Sequence, residues 1–209
     1  MGVEDAILYI IILVFSVVLH EVAHGWMADR LGDPTARYAG RLTLNPIPHI
    51  DPFWSILIPA SLIFASSPVV IGAAKPVPYN PHNLPGRWGE ALVALAGPAT
   101  NIGLAIVFGI FMRLGLGMGD ADIIHVLYMI ISTNVLLAVF NLVPIPPLDG
   151  SKIASALLPH DAALVYERVR MQLEQNVLLG MAALVGFILV LGTPFHYLVV
   201  GITRVIAGA

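Results

Sequence analysis

Runs of apolar residues, separated by short polar stretches, dominate the hydropathy pattern of this 209-residue chain. A helix that crosses a bilayer needs about 20 predominantly apolar residues. On that length, the pattern predicts five membrane-embedded segments: Ala6–Met27, Phe53–Ile71, Trp88–Met112, Ala121–Leu142 and Val177 to about Ile206. The last run contains Gly192-Thr193-Pro194, so it is either one long helix or a span followed by a short helix.

Two connecting regions are rich in proline and polar residues. In the region from Ala28 to Pro52, the stretch Arg37–Asn45 alternates between apolar and polar positions, as a strand or hairpin does. The region from Gly72 to Arg87 holds too many prolines for a helix. We expect the two regions to form a small, β-like strip.

Charge and proline positions restrict the topology. Acidic residues precede the first run and three arginines follow it (Arg30, Arg37 and Arg41), so the first helix should run from outside to inside. Pro59 and the Ser66–Pro68 break favour a re-entrant hairpin in the second run, because broken backbone is tolerated where protein or water covers it. A helix that crosses there would scatter the basic residues over both faces.

Composition places the chain in a membrane. Hydrophobic residues make up 58% and charged residues 11% of the sequence, and the mean hydropathy is +0.88. A soluble domain carries about 25% charged residues. The net charge of −3 comes without a basic cluster, which argues against nucleic-acid partners and leaves the lipid bilayer as the surroundings. We therefore expect an all-α, multi-pass membrane helix bundle that forms one domain over residues 1–209.

Two histidines and a glutamate lie near the end of the first run, in the sequence His20-Glu21-Val22-Ala23-His24. Residues four apart share one face of a helix, so both histidines can present a ring nitrogen to one metal ion. Glu21 lies beside them, where it can act as general base on a water at the metal. Ionisable groups at membrane depth are costly unless they bind something or line a wet cavity. The pattern predicts a zinc hydrolase within the membrane.

A catalytic zinc ion usually has three protein ligands, so a third residue has to come from elsewhere in the chain. The chain has no cysteine, which leaves histidine, aspartate and glutamate. Asp149 is the strongest candidate, because three prolines between Asn141 and Gly150 force the chain out of helix and the glycine permits a close approach. The alternative is that Asp149 caps the helix that begins at Ser151.

Several other polar residues could have either a structural or a functional role. Asn101 and Asn134 lie inside predicted spans, and we expect them to form hydrogen bonds with neighbouring helices. His49 lies in the loop after the metal-binding run, and it is either a satisfied loop residue or a group near the metal. The polar stretch between Pro159 and Asn176 predicts an amphipathic helix at the membrane face, with Glu167, Arg168, Arg170 and Glu174.

Two motifs together resemble the site-2 protease family of intramembrane zinc proteases: His20-Glu-Val-Ala-His24 in a first span and Asn141-Leu-Val-Pro-Ile-Pro-Pro-Leu-Asp149-Gly150 downstream. Ala96-Gly97-Pro98-Ala99-Thr100-Asn101 resembles the family's Gly-Pro-x-x-Asn element. Ala74-Lys-Pro-Val-Pro-Tyr-Asn-Pro81 resembles a segment of its compact branch, which lacks a PDZ domain. The resemblance extends from about Ala6 to Pro159.

The resemblance implies one zinc ion per chain, held by His20, His24 and Asp149, with Glu21 as general base. It also implies a prokaryotic cell membrane as location and cleavage of a peptide bond in or near the transmembrane helix of a membrane protein substrate. Asn141 matches the family's motif asparagine. It either donates a hydrogen bond to the substrate or oxyanion, or it caps the loop.

Three other functions fit parts of the pattern: a zinc-binding membrane scaffold without proteolysis, a metal permease, and a zinc protease that acts on soluble peptides at the membrane surface. A structural zinc site does not need Glu21, and permeases usually carry repeats and polar residues along several helices.

We expect one protease domain that comprises a metal helix at 6–30, a β-like and re-entrant region at 31–87, core spans at 88–113 and 121–142, an Asp-bearing loop at 141–150, and C-terminal amphipathic and membrane helices at 151–209.

Overall fold

The computed structural model describes residues 2–52, 57, 61, 74–115 and 120–208. In this part of the chain, the bounds of the α-helices are α1 Val3–Arg30, α2 Thr35–Tyr38, α3 Gly86–Arg113, α4 Ala121–Asn141, α5 Asp149–Leu157, α6 His160–Gln175 and α7 Val177–Ala207. Short 3-10 turns lie at Ile47–His49 and Pro81–Asn83. The described residues contain no β-strand, so the protein is an all-helical membrane protein as far as this part of the chain extends.

Among the described helices, α1, α3, α4 and α7 are long and apolar enough to cross a bilayer. They match four of the five predicted runs. α7 continues through Pro194 as one helix, because membrane helices tolerate proline where neighbouring groups replace the lost hydrogen bond. The remaining run, Phe53–Ile71, was expected to be re-entrant and lies outside the described residues, apart from positions 57 and 61.

α3 is the central helix of the bundle and contacts α1, α4, α5 and α7. Small residues let membrane helices approach each other closely. At Gly109, an added Cβ would lie 2.5 Å from Cγ2 of Ile206 on α7, which shows how close the two helices are. The buried face of α3 is rich in such residues: Gly89, Ala91, Ala94, Ala96, Gly97, Ala105 and Gly109.

The prediction of a strand or hairpin at Arg37–Asn45 is wrong. Residues Thr35–Tyr38 form one helical turn, because Oδ1 of Asp33 accepts hydrogen bonds from the backbone N–H and the hydroxyl of Thr35, at 3.3 and 2.6 Å. Gly40, at φ +65°, follows this turn. The residues from 74 to 80 are non-helical, as their prolines predict, but they do not pair as a strand. The β-like strip is therefore absent from the described residues.

α6 is the helix that was predicted at the membrane face, and none of its residues is fully buried. Arg170 joins it to α3 through Nη1, which lies 3.2 Å from Oε1 of Glu90. The same guanidinium also contacts Glu167 and Glu174 of α6, at 2.9 and 3.3 Å. The hydroxyl of Tyr166 donates to the carbonyl of Pro144 at 3.0 Å, so α6 also contacts the loop before Asp149.

Candidate metal centre

His20 and His24 lie one turn apart on α1, and both side chains face α3. Their exposed fractions are 6% and 8%. Nδ1 of His20 lies 2.6 Å from Oδ1 of Asn101, and Nδ1 of His24 lies 2.7 Å from the carbonyl oxygen of Val93. Both partners belong to α3, so this helix orients both rings.

These partners determine which ring nitrogen carries the proton. A main-chain carbonyl only accepts hydrogen bonds, so Nδ1 of His24 is a donor. The NH2 group of Asn101 donates to the carbonyl of Ser16 at 3.3 Å and to Oδ1 of Asn134 at 2.9 Å. Oδ1 of Asn101 therefore accepts from Nδ1 of His20. In their neutral forms, both histidines leave Nε2 unprotonated and able to bind a metal ion.

Asp149 is the first residue of α5, and its carboxylate meets the two histidines. Oδ2 lies 3.2 Å from Nε2 of His20 and 3.2 Å from Nε2 of His24, and the two Nε2 atoms are 2.9 Å apart. The N-cap of α5 is Leu148, which makes no side-chain capping bond. The alternative that Asp149 caps this helix is therefore wrong.

The three converging atoms fit a zinc ion. Two neutral rings in this arrangement aim lone pairs at each other and at a carboxylate, with no proton between them, and a cation stabilises such a group. Zinc bonds of about 2.0–2.1 Å in a tetrahedral site place ligand atoms about 3.3 Å apart. The separations of 2.9 to 3.2 Å are close to that value. Two histidines and a carboxylate are also the ligand set of catalytic zinc sites, which keep a position for water.

Two glycines make room for this group. At Gly97, an added Cβ would lie 2.5 Å from Nε2 of His24 and 2.6 Å from Nε2 of His20. At Gly150, it would lie 2.2 Å from the carbonyl oxygen of Leu142. A side chain at the first position would collide with the metal-binding ring nitrogens, and one at the second would push α5 away from the end of α4.

Glu21 is partly buried beside the histidines on α1. Its Oε2 accepts a hydrogen bond from the backbone N–H of Val77 at 2.8 Å. Its carboxylate is not one of the three atoms that converge at the candidate metal site, which suits a general base. The bond also brings the segment 74–80 to the site.

A lysine follows Asp149 by one turn on α5. Nζ of Lys152 lies 5.3 Å from the centre of the Tyr79 ring, and the Tyr79 hydroxyl donates to Oε1 of Glu90 at 3.3 Å. Burial by itself would lower the pKa of Lys152, but its interactions with Tyr79, Asp149 and Glu90 outweigh burial and raise it. Burial raises the pKa of the Tyr79 phenol. Lys152 and Tyr79 therefore form a polar pair next to the candidate metal site.

Two other candidate residues are not brought into the group. Asn141 is the last residue of α4, and its Nδ2 donates to the carbonyl of Leu137 in the same helix at 2.9 Å. Its role toward a substrate stays a prediction. His49 is 2% exposed, and its Nε2 donates to the carbonyl of Thr43 at 3.0 Å, while its buried Nδ1 has no hydrogen-bond partner among the described residues. Among the described residues, it is not part of the metal-binding group.

Sequence analysis missed two main-chain contacts of the site, whereas it predicted that Asn101 bonds to neighbouring helices, without naming His20 as the partner. The main-chain groups of Val93 and Val77 left no signal, because any residue supplies a carbonyl and almost any supplies an N–H. The bond from His20 to Asn101 did leave one. Gly97 and Asn101 are four residues apart in one apolar run, so they share the helix face that meets α1.

Helices long enough to span a membrane, together with a His-Glu-x-x-His helix and an aspartate whose ligand atoms converge, define the class of membrane-embedded zinc metallohydrolases. A family model described as Peptidase family M50 matches residues 116–191. The chain is similar to the candidate zinc metalloprotease YwhC of Bacillus subtilis, with 37% identity over 161 residues that cover 72% of this chain and 68% of that protein. It is also similar to the candidate zinc metalloprotease Rip2 of Mycolicibacterium smegmatis, with 35% identity over 150 residues that cover 69% of this chain and 54% of that protein.

The chain belongs to peptidase family M50, and it is a metalloendopeptidase. It spans about two thirds of the first of these relatives and about half of the second. No solved structure matches it. The family agrees with the resemblance that the two sequence motifs carry.

Proposed function

We propose that this chain is a zinc-dependent intramembrane endopeptidase of a prokaryotic cell membrane. It hydrolyses a peptide bond in or near the transmembrane helix of a membrane protein substrate. His20, His24 and Asp149 hold one zinc ion per chain, and Glu21 is the general base. The observation that carries the proposal is the convergence of two Nε2 atoms and one carboxylate oxygen, within 3.2 Å of one another, among helices apolar enough to cross a bilayer.

The chemistry is divided between the metal and the protein. Zinc, when bound, supplies a Lewis acid that polarises the scissile carbonyl and lowers the pKa of the attacking water to about 7. Glu21 takes a proton from this water as the water oxygen bonds to the carbonyl carbon. Glu21 then gives the proton to the amide nitrogen as the C–N bond breaks. Asn101 and Val93 keep the two imidazole rings in place during these steps.

The depth of the site fits a substrate cut near the end of its helix. His24 precedes the end of α1, Arg30, by six residues, or about 9 Å along the helix axis. A peptide bond in a helix is shielded, so the substrate must unwind locally before attack. Unwound backbone is costly in lipid but tolerated where protein or water covers it, and the loops that follow α1 lie at this end of the bundle.

Asn141 is the proposed donor to the substrate or to the oxyanion of the tetrahedral intermediate. One N–H of its amide bonds to Leu137, and the second N–H is the one that would donate to substrate. Removing one oxyanion donor costs about 100- to 1000-fold in kcat in enzymes where it has been measured. This role extends the proposal and is independent of the zinc ligands.

Cleavage of single-span substrates in detergent tests the proposal, with the wild type and Glu21→Gln compared at equal zinc content. We expect the variant to lose about 100- to 10,000-fold in kcat, because general-base catalysis contributes that much. Glu174→Gln, on the exposed side of α6, is the matched carboxylate-to-amide control and should cut like the wild type. If zinc binds to both and neither cuts, the scaffold function is correct instead. Faster cleavage of soluble peptides than of single-span substrates would favour a surface protease.

A further inference from the structure

The backbone N–H of Val77 lies 2.8 Å from Oε2 of Glu21 and donates a hydrogen bond to it. Val77 stands between Pro76 and Pro78, which have no N–H. It is 5% exposed, so water does not readily replace this bond. The side chain of Glu21 has three rotatable bonds and would sample several rotamers on its own. The hydrogen bond from the main chain at Val77 restricts it to one of them.

A glycine on α1 allows this contact. Gly25 follows Glu21 by four residues and shares its helix face. An added Cβ at Gly25 would lie 2.7 Å from Cγ1 of Val77, 2.7 Å from Cδ2 of Leu42 and 3.0 Å from Cβ of Ala36. The chain around Val77 therefore packs directly on the backbone of α1, one turn after the glutamate.

The segment that carries Val77 is held on both sides of it. The N–H of Lys75 donates to the carbonyl of His49 at 2.9 Å, and the carbonyl of Lys75 accepts from Nη2 of Arg41 at 2.7 Å. The N–H of Asn80 donates to Oδ2 of Asp33 at 2.6 Å. These anchors keep the N–H of Val77 in one place.

The same bonds determine what the segment offers to a substrate. Two of its residues are prolines, and the N–H groups of Lys75, Val77 and Asn80 already donate within the protein. A strand that pairs in a β-ladder needs donors that alternate with acceptors. The segment lacks such a series, so its backbone donors hold the site instead of a substrate strand.

We propose that the backbone N–H of Val77 is a positioning group that holds Oε2 of Glu21 and thereby presents Oε1 to the attacking water. This inference rests on the proposed role of Glu21 as general base. Catalytic groups lose much of their effect when they are displaced by about 1 Å, which can cost about 100-fold in rate. The bond should therefore act on kcat and leave both zinc binding and KM unchanged.

An amide-to-ester substitution at Val77 tests this inference, because α-hydroxyvaline removes the N–H and keeps the side chain. The matched control is the same substitution at Leu84, whose N–H donates to the carbonyl of Pro81 at 3.2 Å in the same loop. Val77→Pro is a second variant that removes the N–H between two existing prolines. Zinc content, the thermal midpoint, kcat and KM are measured for each variant with a single-span substrate, and Glu21→Gln is included.

We expect the Val77 ester to lose about 10- to 100-fold in kcat at unchanged KM and zinc content, with the Leu84 ester close to the wild type. Full activity of the Val77 ester beside an inactive Glu21→Gln overturns the inference and leaves the proposed function intact. Loss of zinc in the Val77 ester and Val77→Pro, or equal losses in both esters, also overturns it, because the bond is then structural. An active Glu21→Gln overturns the proposed function itself.

Discussion

Oδ1 of Asn101 on α3 lies 2.6 Å from Nδ1 of His20 on α1, in the buried interior of the bundle. Asn101 is 0% exposed, and its partner Asn134 on α4 is 1% exposed. Ser16 of α1 completes the set, because its hydroxyl accepts from Nδ2 of Asn134 at 3.0 Å. Three membrane-spanning helices therefore share one hydrogen-bond network that ends on a metal-binding ring.

Replacing Asn101 with leucine, whose side chain branches at the same carbon, should weaken zinc binding. The change removes the acceptor for Nδ1 of His20, so the ring loses its orientation and can carry its proton on Nε2 instead. Partners of this kind typically contribute about 10- to 100-fold in metal affinity, and we expect the Kd for zinc to rise by that factor. Competition with a chelator in detergent measures the Kd, and nitrogen-15 NMR of the histidine rings measures the tautomer.

Thr133→Val is the control for this change. Thr133 neighbours Asn134 on α4 and is 2% exposed, and its hydroxyl has no hydrogen-bond partner among the described residues. The isosteric change removes an unsatisfied group, so zinc affinity should stay the same and the thermal midpoint should not fall. Equal weakening in both variants would show that packing, and not the bond to His20, controls the affinity.

The spans were predictable because the bilayer thickness sets the length of an apolar run. The run at Trp88–Met112 corresponds to α3 at Gly86–Arg113, and the run at Ala121–Leu142 corresponds to α4 at Ala121–Asn141. Pro194 was an ambiguous signal, because proline breaks helices in water and is tolerated in membranes. The Arg37–Asn45 alternation misled because Asp33 starts a helical turn, a local bond that periodicity does not reveal.

The metal-binding group was predictable where helix geometry alone controls it. The spacing of His20 and His24 requires both rings to lie on one face. Asp149 was predictable from the prolines and Gly150 beside it, although the distance of 3.2 Å to each ring depends on how α5 packs. The bond between Val77 and Glu21 joins residues 56 positions apart through a main-chain group, so residue types carry no signal for it.

The ionised carboxylate of Asp33 should stabilise the folded protein, and this contribution should be lost in acid. Its carboxylate is 0% exposed and accepts from the side chain of Asn83 and the backbone of Asn80, at 2.9 and 2.6 Å, as well as from Thr35. Burial alone would raise the pKa of Asp33, but the bonds from Thr35, Asn83 and Asn80 outweigh it and hold the pKa below its usual 3.8. The unfolded chain therefore takes up this proton at a higher pH than the folded one. The stabilisation is complete above the ordinary pKa and is lost as the pH falls through the lower, folded one.

Thermal unfolding of the wild type and Asp33→Asn across this pH range checks that expectation. In the variant, the NH2 group of the introduced amide side chain replaces one carboxylate oxygen and faces groups that also donate hydrogen bonds. We therefore expect the free energy of unfolding to fall by about 1–3 kcal/mol near neutral pH. The difference between the two proteins should shrink as the pH falls below about 3.8. A difference that is constant with pH would mean that the charge of Asp33 does not contribute.

Gly97→Ala should weaken zinc binding while the protein still inserts and folds. The new methyl group would lie 2.5 Å from Nε2 of His24 and 2.6 Å from Nε2 of His20, so either the rings move or α1 separates from α3. We expect the Kd for zinc to rise at least about 10-fold. Loss of a residue that orients a zinc ligand already weakens metal affinity by about that factor, and displacing the ligand itself should weaken it at least as much.

Gly103→Ala, on the same helix, is the matched control, because an added Cβ there has no atom within 4 Å. The control should keep its zinc affinity and gain up to about 1 kcal/mol, since alanine favours helix over glycine. If Gly97→Ala binds zinc as tightly as Gly103→Ala, the close contact of α3 with the two rings does not shape the site.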